Sequence, residues 1–357
     1  MIDSRAPIEA AVVIVCHNGH AWLHDCLSSV LASDDSPILR HVIVVDNAST
    51  DQSVETISRD FPQVELVRSP VNLGFAGGNN LGWAHISQRY PNTQYLALLN
   101  QDTIVQTGWL AKLVMFMDSR PMVGCAQAKL MLHPQTDRIN SAGNVSHFLG
   151  FGFTTACGEP DAGQFDRPRL LGFASGAAML VRTDAVRRAG LFESDFFAYL
   201  EDADLCWKLR QLGYETAYVP TSVVFHKYHF KQDYRNYFLL ERNRWWLLGT
   251  YYKTPTLLLL LPALAAMEVG QVYFAIRQGV LAQKIRACLF FCQRDNLRRL
   301  CESRAVAQRR RLVSDRQFIK PFTATVEISQ LVSPLLSRVA NPILAAYWFV
   351  VRRLIFW

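Results

Sequence analysis

Apolar residues follow two rhythms along the first two-thirds of the chain. Short unbroken runs at residues 11–16 (AVVIVC), 41–45 (HVIVV), 64–68 and 95–99 (YLALL) end in polar turns. Runs of that length and composition predict strands buried on both faces. Between them, apolar residues recur at helical spacing over 20–31, 53–59 and 79–88, with Trp22, Leu23, Leu27, Val30 and Leu31 near one face of the first. This βαβαβ order predicts an α/β sheet with helices on both faces. Such sheets bind ligands beyond the carboxyl ends of their strands. The residues that follow each run are therefore the ligand-facing candidates: His17-Asn18, Asp46-Asn47, Asn72 to Asn80, and Asn100-Gln101-Asp102.

Residues 131–171 are richer in glycine and polar groups and read as a loop-rich insertion. A buried pattern returns over 173–182. A short helix is expected over 184–189 and a longer one over 201–212, with Leu205, Leu209 and Leu212 on one side. After Trp245 the character changes. Residues 256–267 are almost wholly apolar, Glu268 and Gln271 interrupt, and 272–276 are apolar again. A run this short reads as interfacial, re-entrant or core, and spans a membrane only if those polar residues are tolerated inside it. A basic stretch follows at 294–316, with Arg298, Arg299, Arg309, Arg310 and Arg311, and the chain ends on apolar residues 343–351 around Arg352-Arg353. Arg-rich and apolar helices in alternation fit a membrane-surface appendage. The alternative is a helical bundle packed on the first domain or on a second copy. The division expected is a first domain over 1–245 and a helical region over 246–357.

Composition adds little that is selective. Half of the 357 residues are apolar and 19% are charged, which supplies a core and argues against disorder. The net charge of +7 suits anionic partners without choosing among them. The eight cysteines form no C-x-x-C pair and read as buried, reduced thiols of a cytosolic protein rather than zinc ligands or disulfides. Residues 1–10 carry Asp3 and Glu9 and no apolar run, so no signal peptide is expected.

Several clusters could carry chemistry. Asp46, at a strand end, can accept hydrogen bonds from a base or ribose, or simply cap the next turn. Asn72-Leu73-Gly74-Phe75-Ala76-Gly77-Gly78-Asn79-Asn80 is a glycine-rich segment opening a helix, where an anion could sit. It lacks the G-x-G-x-x-G spacing of a dinucleotide site, and tight turns also need glycine. Asp102 can hold Mg²⁺ or Mn²⁺ together with substrate phosphates. Glu201-Asp202-Ala203-Asp204 is the densest acid cluster and follows an aromatic stretch, a setting that favours a raised pKa and general-base work. A helix N-terminus also attracts acids through its dipole. His226 follows a strand-like run at 222–225, with His229 three residues on, and a histidine there can close a metal site.

In this order the pieces resemble the family 2 glycosyltransferases over roughly residues 7–246. The residues that carry the likeness are Val12 to Asn18, Val45 to Asp51, Asn72 to Asn80, Leu98 to Asp102, Ser175 to Leu180, and Glu201 to Cys206. The resemblance is nearest to rhamnosyltransferase-like members that build cell-envelope polysaccharides on lipid carriers. It implies a GT-A fold with a C-terminal helical, membrane-associated region. It also implies inverting, metal-dependent transfer from a nucleoside-diphosphate sugar, with dTDP-rhamnose favoured and other donors open. On that basis Asp46, Asn47, His17, Asn18, Gly77, Asn80, Asn100 and Gln101 should line the nucleotide-sugar. Asp102 and His226 should hold Mg²⁺ or Mn²⁺. Asp202 should take the acceptor proton, with Glu201 beside it.

Two departures matter. Asn100 stands where the family's D-x-D site has its first acid, which removes one charged metal ligand. Glu241-Arg242-Asn243-Arg244-Trp245 is similar to the Q-x-x-R-W motif of related polysaccharide synthases, with Glu for Gln. It implies Arg244 on the diphosphate and Trp245 stacked on the acceptor, against a plain amphipathic boundary segment. The implied partners are the donor, a lipid-linked saccharide and the cytoplasmic face of a bacterial inner membrane, with room for a homodimer. Nucleic acid is not expected, because few aromatics interleave with the arginines of 294–316. The competing readings are a Rossmann-type oxidoreductase or nucleotidyltransferase, and a glycosyltransferase-like scaffold that has lost catalysis.

Overall fold

A computed structural model of the chain describes residues 7–228, 234, 236–326 and 336–357; His229 lies outside them, as do residues 1–6 of the leader expectation. The first half alternates as expected: β1 (Glu9–Cys16), α1 (His20–Ala32), β2 (Leu39–Asn47), α2 (Ser53–Asp60), β3 (Glu65–Ser69), α3 (Gly74–Arg89) and β4 (Tyr95–Asn100). In α1 the buried residues are Leu23, Cys26, Leu27 and Val30, one stripe at helical spacing against the sheet. Strands β1 and β4 are buried along almost their whole length, which their unbroken apolar runs require.

The chain continues through β5 (Thr103–Val105), α4 (Trp109–Asp118), β6 (Val123–Leu132), β7 (Ile139–Ser141), β8 (Asn144–Ser146), β9 (Gly152–Thr154), β10 (Arg169–Leu170) and β11 (Ala178–Arg182). Then come α5 (Thr183–Ala189), α6 (Glu201–Gln211) and β12 (Glu215–His226). The main sheet runs β10-β12-β6-β11-β4-β1-β2-β3. Strands β3, β2, β1 and β4 are parallel, β11 is antiparallel to both β4 and β6, and β12 is parallel to β6. The carboxyl ends of β1, β2, β4 and β12 therefore open on one edge. This mixed sheet flanked by helices is the GT-A fold.

Three expectations change. Helix α3 begins at Gly74, so most of the glycine-rich segment is helix rather than loop. The glycines bring the helix onto the sheet. A Cβ on Gly78 would lie 2.7 Å from Val15 Cγ1, and one on Gly82 would lie 2.7 Å from Val13 Cγ1. The 131–171 insertion is not a surface excursion. Its strands β7 and β8 are largely buried, and His147 and Phe148 are fully enclosed. Among the cysteines, Cys16, Cys26, Cys125 and Cys206 are buried, but Cys288, Cys292 and Cys301 are exposed.

The C-terminal region comprises α7 (Tyr237–Tyr251), α8 (Thr254–Arg277), α9 (Leu281–Phe290), α10 (Arg294–Arg310), α11 (Asp315–Phe318) and α12 (Asn341–Leu354). The boundary expected at 245/246 falls inside α7. The region shares the core of the first domain, with Phe318, Phe322 and Tyr252 packed on Trp207 of α6, and adds a small cluster of its own around Tyr237, Ala275 and Val280. The basic stretch is also used differently. Arg304 donates to the carbonyls of Gly249 and Tyr252, Arg310 to that of Ala189, and Arg311 to that of Tyr251. Arg299 grips both oxygens of Asp195 at 2.9 Å. These arginines tie helices together.

Candidate active site

The donor-side residues meet at the strand ends because the parallel register puts them there. Cys16 pairs with Asp46, and Val15 with Asn100. The His17 backbone and the Gln101 amide exchange two hydrogen bonds, at 3.0 and 3.3 Å. His17 Nδ1 donates to the Asn47 carbonyl at 2.9 Å. Asn18, at φ +49°, accepts from Thr50 N at 2.8 Å. Asp46 is 2% exposed and accepts from Ser49 N at 3.2 Å, with exposed Arg68 4.0 Å away.

Other expected donor residues are committed inside the protein. The Asn47 amide donates to Asn72 Oδ1 and the Gly74 carbonyl and accepts from Leu73 N, so it latches the turn before α3. Gly77 is in α3, where a Cβ would meet Leu73 Cβ at 2.7 Å. Asn80 bonds Phe192 through both its amide atoms, at 3.0 Å each, and Ser194 Oγ at 3.2 Å. Their polar contacts therefore serve packing.

Asp102 and His226 do come together, with Oδ1 to Nε2 at 3.3 Å. Behind the ring, His226 Nδ1–H donates to Asn140 Oδ1 at 2.9 Å. That bond fixes the tautomer and leaves the Nε2 lone pair facing Asp102. Asn100 Nδ2 approaches the same nitrogen at 3.5 Å. A ligating histidine oriented by an outer hydrogen bond is the usual arrangement at a metal centre. The donor set of one carboxylate, one imidazole and one amide therefore fits a divalent ion. It is a sparse set, since no group of three or more His, Cys, Asp or Glu side chains is gathered among the described residues. Asn140, in the insertion, carried no local sequence signal.

The acid cluster opens α6. Asp202 Oδ2 accepts from Gly176 N at 3.3 Å, and Oδ1 from Ala203 N at 2.7 Å. The next residue after Gly176, Ala177, accepts from Asn100 N at 3.0 Å. The Ser175-Gly176-Ala177 segment thus sets Asp202 beside the end of β4. Burial pushes the Asp202 carboxyl up to about 6, against the amide bonds that favour its charge. Glu201 is raised well above the usual range, first by burial and then by the Asp202 charge, and its Oε2 has no partner. Burial thus favours the neutral form of both acids, and the amide bonds from Gly176 and Ala203 offset part of that for Asp202. Asp204 is spent on Lys208, at 2.8 Å, and on Tyr251.

The loop before α6 is strained. Phe197, Tyr199 and Leu200 have φ of +61°, +69° and +63°. Non-glycine residues there cost about 1–3 kcal/mol each and persist only when their surroundings hold them. Helix α7 does the holding. Asn243 Nδ2 donates to the carbonyls of Phe196, Ala198 and Tyr199 at 3.2, 3.1 and 2.7 Å. Arg242 donates to those of Asp195 and Phe196 at 2.6 and 3.0 Å. From the other side, Ala76 N donates to Phe197 O, and Gly74 leaves room for that oxygen, which a Cβ would approach to 2.3 Å. Arg242 and Asn243 belong to the motif singled out in the sequence, whose expected functional members were Arg244 and Trp245. Arg244 is 1% exposed and fully paired: with Glu241 at 2.9 Å, with Glu268, and against the rings of Phe151 and Trp245. It sits in a core ion-pair network with both its carboxylate partners on α7 and α8. Trp245 is half-buried beside it.

A cavity of about 370 Å³ is lined by other residues of α6, among them Asp204 and Lys208, together with Thr250 and Arg310; no expected site residue lines it.

The mixed sheet thus sets Asp102 and His226 together at one edge, with Asp202 bonded to the segment that lies beside the end of β4. Residues 11–188 match Glycosyl transferase family 2, and the chain belongs to that family. It is 26% identical over 234 residues to an N-acetylglucosaminyl-diphospho-decaprenol L-rhamnosyltransferase of Mycobacterium tuberculosis, covering 60% of this chain and 75% of that one. It is 25% identical over 251 residues to the rhamnosyltransferase WbbL of Escherichia coli, covering 67% and 90%. The crystal structure of GalNAc-T7 with UDP, GalNAc and Mn²⁺ superposes with a TM-score of 0.56 at 17% identity. That match covers 70% of this chain and about half of the other, 49%, and speaks to the fold.

Proposed function

We propose that this glycosyltransferase moves a sugar, with inversion, from a nucleoside-diphosphate sugar to a lipid-linked saccharide at the cytoplasmic face of a bacterial inner membrane. The observation that carries the reading is Asp202. It is a carboxylate raised to about 6 and tied through Gly176 and Ala177 to the strand end that bears Asn100 and Asp102. Asp202 takes the acceptor hydroxyl proton as that oxygen bonds to the anomeric carbon. The bond to the diphosphate breaks with its electron pair leaving on the nucleotide. Asp46, His17, Asn18 and Gln101 line the nucleotide edge. Asp102 and His226, with the Asn100 amide oxygen turned inward, would hold a divalent ion, which when bound neutralises charge on the leaving diphosphate. Mg²⁺ or Mn²⁺ is the ion such oxygen-rich donors take beside substrate phosphates. Rhamnose is the favoured sugar because both relatives described above are named rhamnosyltransferases, so dTDP-rhamnose is the first donor to try.

The test incubates wild type and Asp202→Asn with a panel of nucleotide-sugars, Mg²⁺ or Mn²⁺ and a lipid-linked acceptor, reading nucleoside diphosphate and extended lipid together. Turnover with one donor, lost on chelation and in Asp202→Asn, supports the reading. Donor binding without turnover would favour the scaffold alternative, for which Asn100 is the specific observation. No nucleotide binding would sink the reading.

A further inference from the structure

Helix α8 is, among the described residues, the one helix long and apolar enough to cross a membrane by length and composition. Its surroundings decide how it can meet one. Thr256, Leu260, Ala263, Leu264 and Ala275 are buried along one side. At its start, Asp315 accepts from Lys253 N at 2.9 Å and from Thr256, and Trp357 Nε1 donates to Thr256 at 2.8 Å. In its middle, Glu268 pairs with Arg244 of α7 and with Lys284 of α9, the latter at 2.6 Å. One turn on, Gln271 accepts from Tyr237 at 2.7 Å. Helix α8 is thus bonded to α7, α9, α11 and the chain's last residue, from its first turn as far as Gln271.

The opposite side is bare. Leu258, Leu261, Val269, Val272 and Ile276 are exposed, Val269 to 73%, and with exposed Ala265 between Leu261 and Val269 they follow steps of three and four. Helix α12 packs on α8, with Tyr347 donating to the Leu259 carbonyl, and adds exposed Ile343, Phe349, Val350, Leu354 and Phe356. Cations flank the stripe. Arg277 is exposed at the far end of α8. Arg352 and Arg353 are exposed near the other end, where Trp357 joins Thr256.

We propose that α8 and α12 form a monotopic face that lies in the plane of an anionic bilayer, with α8 parallel to the surface rather than across it. The proposal deepens the membrane reading above and rests on it. A helix tied along its side to α7, α9 and α11 cannot cross a bilayer unless those helices enter with it, and α7 and α11 are themselves packed on α6. Its outward stripe can still sink into the headgroup–acyl boundary, with the arginines on lipid phosphates. Anionic lipid is the occupant that both the apolar stripe and its cationic ends select.

Removing the chain after Tyr252 would strip Phe318 and Phe322 from the core around Trp207, so the test keeps the full chain. Wild type and the doubly substituted Leu261→Glu/Val269→Glu, both exposed positions, are floated with vesicles of phosphatidylethanolamine and phosphatidylglycerol. The variant should bind at least about tenfold more weakly, and Arg352→Glu/Arg353→Glu should lose the preference for phosphatidylglycerol. A fluorescent non-natural residue placed in turn at Leu258, Val269 and Ile276 is then quenched by lipids brominated at graded depths. Equal shallow depths support the proposal. Depths spread over the roughly 27 Å that eighteen helical residues cover would mean that α8 spans and would overturn it. So would unchanged flotation of the variants, or a wild type that ignores vesicles and pairs with a second copy instead. Transfer to a short water-soluble acceptor is measured alongside. If it persists in the variants, the face and the transferase stand or fall separately.

Discussion

The two halves of the active site are built on different principles. On the donor side, Asp46, Asn100, Asp102 and His226 sit where strands end, and ladder register fixes their positions. On the acceptor side, Asp202 follows a loop of left-handed residues that has no ladder of its own. Its carbonyls are held by side chains of α7, contributed from more than forty positions downstream. The first half is set by the register of the sheet. The second exists only while its clamps do. Catalytic geometry in this protein is therefore shared between the family domain and a region beyond it.

The sharpest way to break the comparison is at the base itself. Asp202→Asn should lower kcat by about 10²–10⁴-fold, with donor affinity by calorimetry unchanged. The pH behaviour follows from the raised affinity. Asp202 must be charged to act, so kcat/KM of wild type should fall as pH drops through about 6. Stability runs the other way. The folded pKa lies above the ordinary value of 3.8, so the contribution to stability is complete below that value and is lost as pH rises through about 6. Asp202→Asn should therefore melt higher than wild type at pH 8, and the gain should vanish near pH 4. A variant that melts lower at pH 8 would contradict the burial argument. On the donor side, Asp102→Asn should cost several kcal/mol of transition-state stabilisation, roughly 10³-fold in turnover, partly recovered at high Mn²⁺. Recovery with no metal dependence would remove Asp102 from the metal site.

The clamp comes next. Asn243→Ala frees three carbonyls and should lower kcat by up to about 10²-fold through misplacement of Asp202, leaving donor KM unchanged. A matching rise in donor KM would mean that the loop serves the nucleotide instead. The smallest effect on catalysis is expected at Arg244. Arg244→Lys keeps a charge but loses the fork that spans Glu241 and Glu268. It should lower the melting temperature while leaving donor KM within about threefold; a much larger rise in KM would support the diphosphate role.

These differences follow how far the sequence could be read. Strand ends are local: an apolar run followed by Asp46, or by Asn100 and Asp102, announces its own position, and helix boundaries such as that of α1 shifted by a residue or so. Strand β6 was hidden because Gln127 and Lys129 interrupt its apolar run. Both are buried in the sheet, and Lys129 is paired with Asp161 and Asp166 at 2.7 Å. Gly77 and Gly78 read as ligand-facing because close packing and phosphate binding call for the same residue. Arg244 and Asn243 are neighbours in one motif with opposite fates, one inside an ion-pair network and one on the strained loop. Helical phase against a distant partner decides between them, and that phase is not written in any local pattern.

The clamp also sets an order of maturation. A chain emerges from the ribosome N-terminus first, so β1, β2 and β4 are available to fold before α7. Until α7 docks, nothing from that helix fixes the carbonyls of Phe196, Ala198 and Tyr199. Nascent protein should bind nucleotide before it can transfer sugar, and competence arrives with the same segment that leads into the bilayer-facing helices.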